Sequence, residues 1–266
     1  MAQASQTSRT VLYAMPGMDA VTVRRDVPYR VTDTETFGLD LYRPPGHPPD
    51  AGLPAVLFVT GFADPGAVRM LGARFKEMGS FESWARLVAA SGIVGITYEN
   101  QEPRDADDVL RYVRQNASSL GIDRERLGIW ACSGHGPNAL WVMMEHGRNG
   151  LACAVLVYPY TLDIDGTTRV AEASHRFRFV TPAAGNSVQD LPVDLPIFVA
   201  RAGRDQMPGL NDALDAFIGA ALAHNLPLTL ANHASGPHAF DVVDDSRTTI
   251  ETIKQILTFL QFHLLK

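Results

Sequence analysis

The chain has little of what several specialised protein classes require. Only two cysteines, Cys132 and Cys153, occur in 266 residues. They sit in separate apolar runs, and a chain of this length can bury a sufficient core without a disulfide, so both are read as reduced. Positive charge is not in excess: 23 Lys and Arg stand against 29 Asp and Glu, for a formal charge of −6. The basic residues are also scattered, which leaves no field to gather phosphates and excludes nucleic acid as an expected partner. No apolar run approaches membrane-spanning length, and the opening stretch lacks the basic start, apolar core and small-residue cleavage site of a secretory signal. The expected location is therefore the cytoplasm, with no membrane partner. HExxH, paired CxxC, a carboxylate cluster and a glycine-rich phosphate loop are missing too, so neither a metal nor another cofactor is expected.

What is present is an apolar content of 46%, enough for a sizeable buried core. Residues 27–43 alternate, with Val27, Tyr29 and Val31, a polar TDTET turn, then Phe37, Leu39 and Leu41 before Pro44 and Pro45. That period of two predicts an antiparallel hairpin. Beyond it come short continuous apolar runs at 55–60, 93–98, 127–131, 151–158, 195–200 and 227–230. Longer segments of helical period separate them, the sequence form of a parallel sheet covered on both faces. One helix is expected to carry Val109, Leu110, Val113, Ala117 and Leu120 on a single face, with DADD before it and Gly121 after it. Others carry Leu210, Ala213, Leu214, Phe217 and Ala221, and Ile250, Ile253, Ile256, Leu257, Leu260 and Leu264. Residues 161–194 fit neither period and are read as a small cap, and residues 1–20 as a loosely docked arm on a single α/β domain spanning 1–266.

The segment Arg126 to Leu140, RLGIWACSGHGPNAL, runs from a buried strand directly into a helix with Ser133 at the junction. A residue on such a turn projects its hydroxyl from the end of the sheet, while the helix start behind it offers unpaired N–H groups to a developing negative charge. The segment resembles the nucleophile elbow of the α/β-hydrolase family, Gly-x-Ser-x-Gly. Ala131 stands where the first glycine is usual, and His135 puts a ring at the second, where helix and strand normally approach closely. The resemblance implies an α/β-hydrolase fold, with a mostly parallel sheet of about eight strands, helices on both faces and a small cap. It also implies ester hydrolysis of a small molecule, with Ser133 as nucleophile.

A serine hydroxyl needs a base to accept its proton and a third group to orient that base. In this family the chain order is serine, acid, histidine. The segment RAGRDQMPG after the 195–200 run resembles the acid-bearing loop, and ASGPHAFDV after the last run resembles the histidine segment, so Asp205 and His238 take those roles. The loop VTGFADPG resembles the family's His-Gly-Phe segment with Thr60 in place of His. It implies backbone donors for an oxyanion at Phe62 and, after the nucleophile, at Gly134. Gly61, Tyr98, His135, Tyr158 and Tyr160 are candidates to line the substrate site.

Two other readings stay open at this level. Shifting the elbow by one residue makes Cys132 the nucleophile, as in dienelactone-hydrolase relatives, but then Trp130 occupies a glycine position. The altered elbow also suits a hydrolase-like binding protein that has lost the reaction. Acyl length and assembly are not encoded in these motifs; a homodimer is the commonest arrangement.

Overall fold

The hairpin is longer than its alternating signature. A computed structural model describes residues 6–147 and 150–266, so residues 1–5 of the arm lie outside the described residues. In it β1 (Thr22–Val31) pairs antiparallel with β2 (Thr36–Arg43), Val31 opposite Thr36 across the TDTET turn. The added residues of β1 are Thr22 to Asp26, all polar except Val23, and they conceal the strand. Register breaks near Asp26, which adopts φ 54°, and the kinked backbone lies so close to Gly38 that a Cβ there would meet Asp26.

The continuous runs become β3 (Leu53–Phe58), β4 (Val94–Tyr98), β5 (Ile122–Cys132), β6 (Cys153–Val157), β7 (Ile197–Ala202) and β8 (Leu228–His233). Together with the hairpin they make one sheet of eight strands in the order β1-β2-β4-β3-β5-β6-β7-β8. β2 meets β4 antiparallel, and every pairing from β4 to β8 is parallel. Every residue of β3, β4 and β6 is buried, which is why these strands read as unbroken apolar runs. β8 closes the sheet as an edge, and five of its six residues are only partly covered or exposed, so the sequence signal faded before the strand did.

Among the described residues five longer helices cover both faces, and the shorter α1 (Asp64–Leu71), α4 (Ala117–Leu120), α6 (Arg169–Phe177) and α8 (Phe240–Val243) lie in the connecting segments. On one face α3 (Asp105–Gln115), α5 (Gly136–His146) and α7 (Leu210–Ala223) bury Val109, Val113, Leu140, Met143, Leu214 and Phe217. On the other, α2 (Gly79–Ala90) and α9 (Arg247–Leu264) bury Trp84, Leu87, Ile253, Ile256 and Leu260. The helix expected through residue 120 breaks at Asn116 and resumes for one turn to Leu120, where Gly121 at φ 63° stops it. Ser246 caps α9 by accepting the Thr249 N–H at 3.3 Å.

Residues 161–194 contain a nine-residue helix, Arg169–Phe177, and bury Leu162, Val170, Phe179, Val188 and Leu191 against the first face. The described part of the arm makes defined contacts with the domain. Val11 is buried and donates its N–H to Ser83 Oγ at 2.9 Å, and the Leu12 N–H donates to the Asp241 carbonyl at 2.9 Å. Among the described residues no helix is long and apolar enough to cross a membrane.

Candidate active site

β5 ends at Cys132 and α5 begins at Gly136, leaving one tight turn, Ser133 to His135, between them. Ser133 adopts φ 51°, a left-handed conformation that costs a residue with a Cβ about 1–3 kcal/mol. The turn is held by its own carbonyl, which accepts the N–H groups of Gly136 and of Tyr160, the latter at 3.0 Å. Two glycines make room. A Cβ on Gly134 would strike the rings of Phe179 and Phe62, and one on Gly136 would overlap the Tyr160 carbonyl oxygen. The tight approach feared for His135 thus falls on Gly136, and Ala131 is fully buried within β5 opposite Leu156.

The ends of β7 and β8 lie on the same edge of the sheet as this turn. Ser133 Oγ is 2.9 Å from His238 Nε2, and His238 Nδ1 is 2.6 Å from Asp205 Oδ2. Asp205 has no exposed side-chain surface, and its other oxygen accepts the Met207 N–H at 2.9 Å. The His238 ring rests on that of Tyr158, centroids 5.0 Å apart. Sequence reasoning missed what lies beneath: Asp241, fully buried, accepts from the Tyr158 hydroxyl at 2.5 Å and from the Trp84 indole N–H at 2.7 Å. A carboxylate three residues after His238, flanked by Phe240 and two valines, was the available signal.

The loop after β3 passes directly over the turn, since a Cβ on Gly61 would overlap the Gly134 carbonyl. Nearly all its backbone polar groups are engaged. The Thr60 N–H donates to Tyr98 Oη at 3.2 Å, and its carbonyl accepts from Asn138 Nδ2 at 2.7 Å. The Gly61 N–H donates to His135 Nδ1 at 2.8 Å, and its carbonyl accepts the Val180 N–H at 2.9 Å. Phe62 O accepts from Asn100 Nδ2 at 3.1 Å. The N–H groups of Phe62 and Ala63 have no partner among the described residues. Tyr98 and Gly61 therefore serve the loop from behind and beneath; unlike His135, Tyr158 and Tyr160, they do not face the cavity. Asn100 and Asn138, both buried, were the other residues missed, and a buried Asn inside an apolar elbow helix is itself a sign of a polar task.

Asn100 is held in turn by Asp64. Asp64 Oδ2 accepts the Asn100 N–H at 2.9 Å while its own N–H donates to Asn100 Oδ1 at 2.8 Å. The second carboxyl oxygen is buried without a partner among the described residues, and burial pushes the Asp64 pKa up to about 6. A raised carboxyl pKa favours folding in the protonated form, so that stability is present at acid pH and lost as pH rises toward the folded value. From pH 4 to pH 6 this group is expected to remove about 2 kcal/mol. Asp64→Asn should flatten that decline, and urea unfolding of both proteins at pH 4, 5, 6 and 7 measures it; parallel stability curves would refute the assignment.

Cys132 lies beside the turn with its thiol near Tyr158 and Asp241. Burial first, and then the Asp241 carboxylate, hold its pKa well above the ordinary thiol value, so the nucleophilic thiolate is disfavoured. Both cysteines are free thiols. In front of Ser133 opens a cavity of about 520 Å³ with mainly apolar walls, among them Phe62, Phe75, Phe179, Trp130 and Met207. Among the described residues no group of three or more His, Cys, Asp or Glu is placed to hold a metal ion.

No protein-family model matches the chain, and no curated protein sequence does. Solved structures do. A variant of esterase rPPE superposes with a TM-score of 0.70 at 18% identity, covering 94% of this chain and 85% of that one. Thermogutta terrifontis esterase 2, phosphonylated by sarin, gives 0.65 at 18% identity, with 93% and 96% covered. A bacterial heroin esterase gives 0.68 at 16% identity, with 95% and 87% covered. Likeness at this identity speaks for architecture, and the sheet order and elbow position agree with it: the chain has the α/β-hydrolase fold.

Proposed function

We propose that the protein is a serine carboxylesterase that cleaves esters of small or medium size through an acyl-enzyme intermediate. The observation that carries this reading is the hydrogen-bonded line from Ser133 Oγ through His238 to Asp205, set at the mouth of an apolar cavity. Ser133 attacks the carbonyl as His238 Nε2 takes its proton. His238 then returns that proton to the leaving alcohol, and water admitted by the same base releases the acid. Asp205 holds His238 with the proton on Nδ1, so that Nε2 can accept. The Phe62 and Gly134 N–H groups stabilise the oxyanion, each worth about 3 kcal/mol in the transition state.

The aromatic and methionine walls suit an apolar acyl or aryl group, and the volume suits a ligand of modest size. The intact line favours an enzyme over a binding protein, and the raised thiol pKa of Cys132 favours the hydroxyl as nucleophile. Free cysteines fit the cytoplasm as its proposed compartment. A structural neighbour is phosphonylated by sarin, which makes an organophosphonate the natural probe. Incubation with a fluorophosphonate should add one phosphonyl group, mapped by peptide mass spectrometry to Ser133, with parallel loss of p-nitrophenyl butyrate hydrolysis. An unmodified protein that is also inert toward a broad ester panel would overturn the proposal.

A further inference from the structure

We infer that His135 is a positioning residue of the oxyanion loop: its imidazole replaces the usual elbow glycine, takes the Gly61 N–H, and thereby fixes the free Phe62 N–H as an oxyanion donor. The inference rests on the esterase reading and deepens it. Three features of the site support it. The ring is buried and Nδ1 accepts from Gly61 at 2.8 Å, so the proton resides on Nε2. Phe62, Phe75 and Phe81 surround the ring edge-on, with centroids 5.1, 4.6 and 5.4 Å away, and leave it one orientation. Burial lowers its pKa to about 3, so the accepting, neutral form persists across the working pH range.

Gly61 and Phe62 are adjacent, so the bonds made by Gly61 set where the free Phe62 N–H points. His135 takes one amide, and the cap takes the Gly61 carbonyl through the Val180 N–H. The peptide plane between Gly61 and Phe62, which carries both that carbonyl and the Phe62 N–H, is thus fixed by its own oxygen and by the amide before it. A displaced donor of this kind typically costs about 10²-fold in rate when the error reaches 1 Å.

The test compares His135→Asn, whose Oδ1 replaces Nδ1 as acceptor, with His135→Leu, which fills space without accepting. Both are assayed on p-nitrophenyl butyrate after thermal unfolding shows them folded. The expected result is a fall in kcat of at least ~10-fold in His135→Leu with KM within about 3-fold, and recovery of most of that loss in His135→Asn. Should His135→Leu not fold, His135→Met takes its place with the same reading. Equal kcat in the leucine variant and the wild type, or equal losses in both variants, would reduce His135 to a space-filling role and overturn the inference. A wild type inert toward esters would instead sink the esterase reading. Amide hydrogen exchange at Gly61 then decides the inference alone: protection in wild type and His135→Asn with faster exchange in His135→Leu supports it, and equal exchange in all three refutes it.

Discussion

Ser133→Ala is expected to lower kcat/KM for a short p-nitrophenyl ester by about 10⁴-fold or more and to abolish fluorophosphonate labelling, with little change in thermal unfolding. The hydroxyl is the group His238 Nε2 addresses at 2.9 Å, and it contributes no hydrogen bond that supports the turn. The turn's strain is borne by the backbone: φ 51° at position 133 is held by the carbonyl bonds to Gly136 and Tyr160, which alanine keeps. The partner measurement is Cys132→Ala, which should retain labelling. Label that survives in Ser133→Ala and vanishes in Cys132→Ala would transfer the chemistry to the thiol, against the burial and the Asp241 charge that keep that thiol protonated.

Asp205→Asn should cost about 10⁴-fold in kcat while leaving the fold intact. The size of the effect follows from how the carboxylate is held. Its two oxygens have separate tasks, one accepting from Met207 N–H and the other from His238 Nδ1–H. An asparagine has a single carbonyl oxygen, and the Met207 N–H at 2.9 Å claims it. The amide NH₂ must then face His238, which forces Nδ1 to accept and moves the ring proton to Nε2, where it can no longer receive the serine proton. Ester turnover under saturating substrate measures the loss. A fall below 10-fold, with the substitution verified, would show that Asp205 does not set the tautomer.

The sheet was legible where strands are buried on both sides, because unbroken apolar runs such as that ending at Phe58 have no other economical explanation. It was illegible at the end of β8 and at the start of β1, where solvent on one side lets Asn232, Arg24 and Arg25 occupy strand positions. Residues 161–194 gave no clear period because their helix spans only nine residues and buries chiefly Val170 and Ala173. Ser133, Asp205 and His238 were readable because each follows a strand end and each neighbourhood resembles a known segment. The supporting residues were not, since Asn138, Asp241 and Trp84 act through contacts between distant parts of the chain: Trp84 and Asp241 lie 157 positions apart. His135 looked like a defect in a motif. Only its partner, Gly61, 74 positions away, shows what the ring is bonded to.

The docked arm separates selectivity from chemistry. Thr7 and Arg9 form part of the cavity wall, yet they belong to no strand, and the arm's bond from Leu12 ends on the carbonyl of Asp241, in the short helix just after His238. A tunable rim is thereby joined to a fixed reaction centre. Sequence change in residues 7–9 can reshape what the cavity admits without repacking the sheet, a freedom that terminal segments tolerate better than cores do. The same bond gives the arm leverage on the histidine loop. Evolution or engineering at this peripheral stretch therefore addresses the cavity rim first, and touches the histidine loop through Leu12.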